Sequence, residues 1–440
     1  MKRASGPALA ALFLFFTLRV SAAPPPRPYD VDNYDVKIAP DLGAKRLEGE
    51  VTIRFHSIVD GLDSLELDAG ALDVREVLED SAGLRFERRG ELLIVQLSKP
   101  VHLGEEPEIT VRYNAGPAAG LNFFEDQVYT AYFTSHWMVS NDRPEDRATL
   151  RLVITAPASA KVAASGRLIK TRREGSHSVS EWRQDAEVPP FVFGFAAGDF
   201  AENSAQANRV KLRYLATRSP QSKNDAAALK KIFQNTAPAL RFLEEKSGMP
   251  YPGPTYTQIL ARGDPKQEAA TFTLLPEEYG KTLLSKPDDL WLLVHELAHQ
   301  WYGIGIACRD WSDFWLNEGL ATFLADGFLE QQFGAERYQH EIDDARATYE
   351  KFKADGRDRP LSFHGWNVAR EAGGSIPYYK GAWVLHLLRQ QMGEDAFWRG
   401  LRVYTKDNWG RATTSRDFQK SMEAAAATNL AEFFNMWVYR

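Results

Sequence analysis

In the run Trp291-Leu292-Leu293-Val294-His295-Glu296-Leu297-Ala298-His299-Gln300-Trp301-Tyr302, two histidines stand four residues apart and a glutamate directly follows the first. On a helix this spacing sets both imidazoles on one face about a turn apart, as two ligands of a tetrahedral zinc ion require. Glu296 then falls on the neighbouring face, within reach of a water held at such an ion. Leu290 to Val294, Leu297, Ala298 and Trp301 are apolar, so the helix is expected to be buried on most sides. Burying three titratable groups there is costly unless they are paired or ligated, which weighs against their being ordinary core residues.

A zinc site needs a third protein ligand. Residues Trp311 to Phe323 read as a second apolar helix, opened by a Ser or Asp cap and carrying Glu318 amid large apolar side chains. Alone, such a glutamate could be a buried acid paired with a distant arginine. Beside the histidine pair it completes a His2Glu set that leaves a fourth position for water.

The segment His295-Glu296-Leu297-Ala298-His299, followed after eighteen residues by Glu318 within Asn317-Glu318-Gly319, is similar to the zinc signature of the gluzincin metallopeptidases typified by aminopeptidase N and leukotriene hydrolase. The resemblance covers most of the chain. Val188 to Phe200 resembles the end of that family's N-terminal β domain, and Glu432 to Val438 the end of its thermolysin-like domain. Pro377-Tyr378-Tyr379-Lys380-Gly381 resembles the segment holding its catalytic tyrosine, which matches Tyr378. The resemblance implies one zinc ion held by His295, His299 and Glu318, with Glu296 as general base and Tyr378 as oxyanion donor. Tyr379 is the neighbouring rival for that role.

Where the family carries Gly-x-Met-Glu-Asn, this chain reads Pro265-Lys266-Gln267-Glu268-Ala269-Ala270, and only the glutamate is kept. By resemblance Glu268 would bind the free α-amine of a peptide. The family also brings a Gln from its β domain toward that amine, but the matching Tyr129 to Phe133 has none. The expected activity is release of N-terminal residues from peptides with free N-termini. The alternatives are an endopeptidase, a hydrolase of another amide or epoxide substrate, and an inactive peptide-binding scaffold.

The elements must position these groups. The chain has 440 residues, 44% hydrophobic, which is length for two or three domains and a large core. Lys+Arg 53 against Asp+Glu 59 gives a net charge of −6, with no long basic run, so nucleic acid is not an expected partner. The single cysteine, Cys308, excludes an intrachain disulfide. Residues 1–23 read as an export signal: a Lys2-Arg3 start, an apolar Ala8 to Leu18 and small residues around Ala22. No other stretch is apolar enough to span a membrane, so a periplasmic or extracellular protein is expected.

Alternating runs such as Tyr34 to Ile38, Val51 to Phe55 and Leu150 to Thr155 have the two-residue period of half-buried strands. Later segments, including Ala226 to Glu245, Asp289 to Tyr302, Phe314 to Phe333, Lys380 to Met392 and Phe418 to Ala427, carry helical spacing. Tyr256 to Leu260 and Thr271 to Leu275 read as strands. The expected architecture is α+β and multidomain: an all-β saddle or sandwich domain over 24–203, then a mainly helical catalytic domain over 204–440, thermolysin-like by the resemblance. His136, Trp137, His364, His386 and Cys308 lack ligand or nucleophile spacing and are expected to serve packing or surface roles.

Overall fold

The computed structural model describes residues 26–218, 225–364, 366 and 376–440, so the expected leader lies outside the described residues. Strict alternation of buried and less buried residues runs along Ala148–Pro157 and most of Tyr29–Asp41, because each strand has one face on a core. Tyr29–Asp41 pairs antiparallel with Arg46–Ser57 and parallel with Ala148–Pro157 inside an eight-stranded sheet. A three-stranded and a four-stranded sheet complete the N-terminal β half, and Val36, Val51, Val111, Leu152 and Trp137 lie in its buried core.

A five-stranded sheet then runs in the order Phe200–Ala207, Val210–Thr217, Thr255–Ala261, Phe272–Pro276, Gln267–Ala269. The domain boundary expected at 203/204 falls inside Phe200–Ala207, whose pairing groups it with this sheet. The two strands read from the sequence lie parallel and adjacent, and the short strand Gln267–Ala269 closes the edge against the second of them.

The rest is helical. The segment expected as one helix over Ala226 to Glu245 is two, Ala226–Ile232 and Thr236–Ser247. Pro238 supplies the reason, since its ring in a continuous helix would meet the carbonyl of Gln234, whereas in the first turn of a new helix it is tolerated. Three further helices build the site: the His helix Trp291–Ala298, the Glu helix Trp315–Phe333 and the Tyr helix Ile376–Met392. The His helix stops short of the expected Tyr302. At Gly303, φ is 118°, and its N–H turns back to the Ile306 carbonyl at 2.6 Å. His299 still keeps helical geometry as the cap residue, so the four-residue spacing is preserved.

The Glu and Tyr helices meet through glycines. A Cβ on Gly319 would lie 3.0 Å from the Gly381 Cα and 3.1 Å from the Pro377 carbonyl oxygen, so tight that the facing backbone would have to give way. Glu318 and Tyr378 each adjoin this contact in sequence. A seam joins the β half to the catalytic half, where the Arg147 guanidinium donates to the Ile304 carbonyl at 2.9 Å and the Ala270 N–H to the Val192 carbonyl at 2.9 Å.

Candidate active site

The His and Glu helices face one another through rows of residues spaced four apart. Trp291, His295 and His299 form one row, and Glu318, Thr322 and Asp326 the other. Their contacts run antiparallel, with Trp291 against Asp326, His295 against Thr322 and Glu318, and His299 against Glu318.

At one end three donor atoms converge. His295 Nε2 and His299 Nε2 are 3.1 Å apart, and Glu318 Oε2 is 3.3 Å from the first and 3.5 Å from the second. All three side chains are buried. His299 presents Nδ1 to the Tyr302 carbonyl at 2.9 Å, an arrangement that puts the ring proton there and leaves Nε2 free to ligate. Two imidazoles and a carboxylate converging on one point match the nitrogen and oxygen donors of a catalytic zinc site. Beside them, Glu296 Oε2 is buried with no hydrogen-bond partner among the described residues.

The electrostatics make the same demand for a cation. Burial raises the Glu268 carboxyl to about 7 and carries that of Glu296 well above its ordinary range. Burial also raises Glu318, but the histidines, His299 first, override it and bring it down to about 2. For His299, burial lowers the imidazole, yet Glu318 and then Glu268 outweigh it and push it up to about 10. Three buried carboxylates thus hold a proton in the pocket, and a divalent cation answers the same field with greater charge.

Glu268 lies on the edge strand Gln267–Ala269, buried, and ligating atoms of Glu268, Glu296 and His299 fall within 4.8 Å of one another. Residues that the sequence did not single out hold this strand. Gln300, next to His299, donates its amide to the Ala269 carbonyl and accepts from the Thr271 N–H, both at 3.0 Å. Thr271 is left-handed with φ 71°, a strained conformation for a β-branched residue that this bracket fixes. Gln267 accepts from the Tyr132 N–H at 2.6 Å, and its amide nitrogen lies 3.2 Å from Glu268 Oε2. Tyr132 and Phe133 are both left-handed, with φ 54° and 31°. Such side chain to backbone contacts carry no periodic signal. Only the adjacency of Gln300 to the histidine motif could have drawn notice.

Tyr378 stands in the first turn of the Tyr helix, its ring stacked on His295 with centroids 5.8 Å apart and edge-on to Phe314. Burial, with Glu318 next, raises its phenol well above the usual range, so the hydroxyl stays a donor. Tyr379 packs instead against the helical core. Trp137 and Cys308 are buried, the hydroxyl of Tyr338 meets His386 Nδ1 at 2.9 Å, and His364 is exposed.

Residues 232–437 match the Peptidase family M1 domain. The chain is 26% identical over 435 residues to a protein named "Probable aminopeptidase 1" of Sulfurisphaera tokodaii, covering 93% of this chain and 53% of that one. It is 25% identical over 415 residues to a "Leucine aminopeptidase 2" of Aspergillus oryzae, covering 86% and 64%. The chain therefore spans about half the length of the first of these relatives. Its fold is shared with the crystal structure of an M1 zinc metallopeptidase from Deinococcus radiodurans, with a TM-score of 0.77 at 24% identity over 94% of each chain. A mutant of that metallopeptidase bound to a Tyr-Ser-Ala substrate superposes with a TM-score of 0.75 at 24% identity, covering 93% of this chain and 94% of that one. The domain match lies in the catalytic half of the chain, and the two-part fold is the one these M1 zinc metallopeptidase structures share.

Proposed function

We propose that the chain is a zinc aminopeptidase, hydrolysing the first peptide bond of substrates with a free N-terminus. One observation carries this reading: the buried Glu268 carboxylate sits beside the convergence of His295, His299 and Glu318 rather than out on a solvated loop. A carboxylate so placed can receive a substrate ammonium by charge-assisted hydrogen bonds while the adjoining bond reaches the metal. The relatives named as aminopeptidases support the same reading.

His295, His299 and Glu318 would hold the zinc ion, which when bound polarises a carbonyl and lowers the pKa of a water. Glu296, with Oε2 unpartnered, takes up a proton and passes it to the leaving amine. The Tyr378 hydroxyl donates to the oxygen that becomes negative in the transition state. Gln300 and Gln267 keep Glu268 in register with the His helix.

Aminoacyl chromogenic amides, compared with the same compounds N-acetylated, test the assignment. Turnover confined to the free amines is expected. Equal rates on both would overturn the aminopeptidase reading in favour of an endopeptidase or other amide hydrolase, which the missing family Gln and Asn favour. No turnover of either by zinc-loaded protein would leave the peptide-binding scaffold.

A further inference from the structure

The two histidine ligands are held by different means. His299 gives Nδ1 to a backbone carbonyl at 2.9 Å, the usual device by which a metal-binding imidazole is oriented. Among the described residues, His295 has only the Thr322 hydroxyl near Nδ1, at 3.4 Å, which is too long to fix a ring. Its faces are better supplied. The Trp291 indole stacks on it with centroids 4.7 Å apart and planes 18° from parallel. Tyr378 stacks with it too, more distantly, at 5.8 Å.

The indole is fixed in turn. Its Nε1 donates to Asp326 Oδ1 at 3.0 Å, and Asp326 is only 2% exposed. Asp326 lies two turns beyond Glu318 on the same face of the Glu helix, so the carboxyl and the third metal ligand are carried by one rigid element.

We propose that Trp291 and Asp326 form a positioning pair that sets the ring plane of His295, doing by stacking what a second hydrogen bond does for His299. The pair touches no substrate. It acts through the ligand, so its loss loosens the metal. Burial raises the Asp326 carboxyl well above the ordinary carboxylate range, so the acceptor oxygen rather than the charge serves the indole, and an amide can replace it.

This inference rests on His295 being a zinc ligand, and the test separates the two claims. Zinc content and the rate of zinc transfer to a chromophoric chelator are measured on wild type, Trp291→Leu, Trp291→Phe, Asp326→Leu and Asp326→Asn. The visible spectrum of the cobalt-substituted forms reports ligand geometry independently of activity. Trp291→Leu and Asp326→Leu are expected to bind zinc about tenfold more weakly, at the low end of the usual range for losing a ligand's support, with a shifted cobalt band. Asp326→Asn should match wild type. Trp291→Phe, which keeps a ring but not the bond to Asp326, should lose roughly threefold, a part of that effect. Wild-type zinc affinity and cobalt spectrum in both leucine variants would overturn the proposal. If those variants do not fold, a Trp291→Phe protein identical to wild type overturns it instead. Wild type without stoichiometric zinc would overturn the ligand assignment itself.

Discussion

Two glutamates in one pocket differ in what their removal should cost. Glu296→Gln is expected to keep one zinc per chain while turnover falls by about 10²–10⁴, the share that positioned proton transfer supplies. Metal analysis beside kcat checks it, and retained turnover would remove Glu296 from the chemistry. Glu268→Ala should cost about 10–100-fold on free-amine substrates, the worth of a hydrogen bond to a charged group. Zinc content should be unchanged, and a parallel loss of zinc would mean that Glu268 supports the pocket's fold instead.

Away from the pocket, Asp142 titrates unusually. Burial, then the neighbouring Asp68 carboxylate, raise it to about 6, and hydrogen bonds from Ser135, then the Arg27 charge, only partly offset them. The folded state thus holds this proton more tightly than the unfolded chain, so stability is greatest below the ordinary Asp pKa and is lost as pH rises from about 4 to 6. Asp142→Asn removes that loss. Thermal midpoints across pH 4–7 should fall less steeply than wild type and lie above it at pH 7, whereas parallel profiles would rule out the effect. The three convergent donors were legible because His295 and His299 stand four apart in apolar surroundings and Glu318 is the one carboxylate amid large apolar residues on the next helix. Thr322, Asp326 and Gln300 were not, because each matters through one contact made across the fold.

Among the elements, the glycine contact between the Glu and Tyr helices governs how Tyr378 stands to Glu318. Gly319→Ala inserts a methyl group 3.0 Å from the Gly381 Cα, and the two backbones must part. Overpacking of this kind costs about 1–3 kcal/mol. Denaturant unfolding should register that loss, and kcat should fall more than zinc affinity, since Glu318 stays on its own helix while Tyr378 moves with the other. Unchanged kcat would detach the glycine contact from catalysis. Elements with dense apolar runs, such as the His and Glu helices, were readable from sequence. Ala335–Ala354 and Glu394–Asn408 are harder to read because their apolar residues are sparse. Tyr338, Ile342, Ala345, Tyr349 and Phe352 still follow the three-to-four spacing of one buried stripe, so the signal was present but diluted.

At the scale of the molecule, three carboxylates and two imidazoles are buried together in one pocket. A ligand bound only by the folded state raises its stability by mass action. Chelation is therefore expected to lower the thermal midpoint and abolish turnover, and added zinc to restore both. A midpoint indifferent to chelator would mean that the metal does not bind the folded chain appreciably. The β-then-helix order was visible in the change of period along the sequence. The placement of Phe200–Ala207 was not, because an alternating strand reads alike whichever sheet accepts its hydrogen bonds.

The seam binds the two halves at the segments that build the candidate site. Arg147 reaches the carbonyls just after the histidine motif, Val192 receives the Ala270 N–H behind Glu268, and Gly166 exchanges hydrogen bonds with the strained Thr271. Recombining such chains in the laboratory should therefore tolerate few crossovers. A hybrid that takes its β half from one parent and its helices from another would inherit mismatched partners on the strand that bears Glu268, and is expected to keep His295, His299 and Glu318 together while displacing that carboxylate.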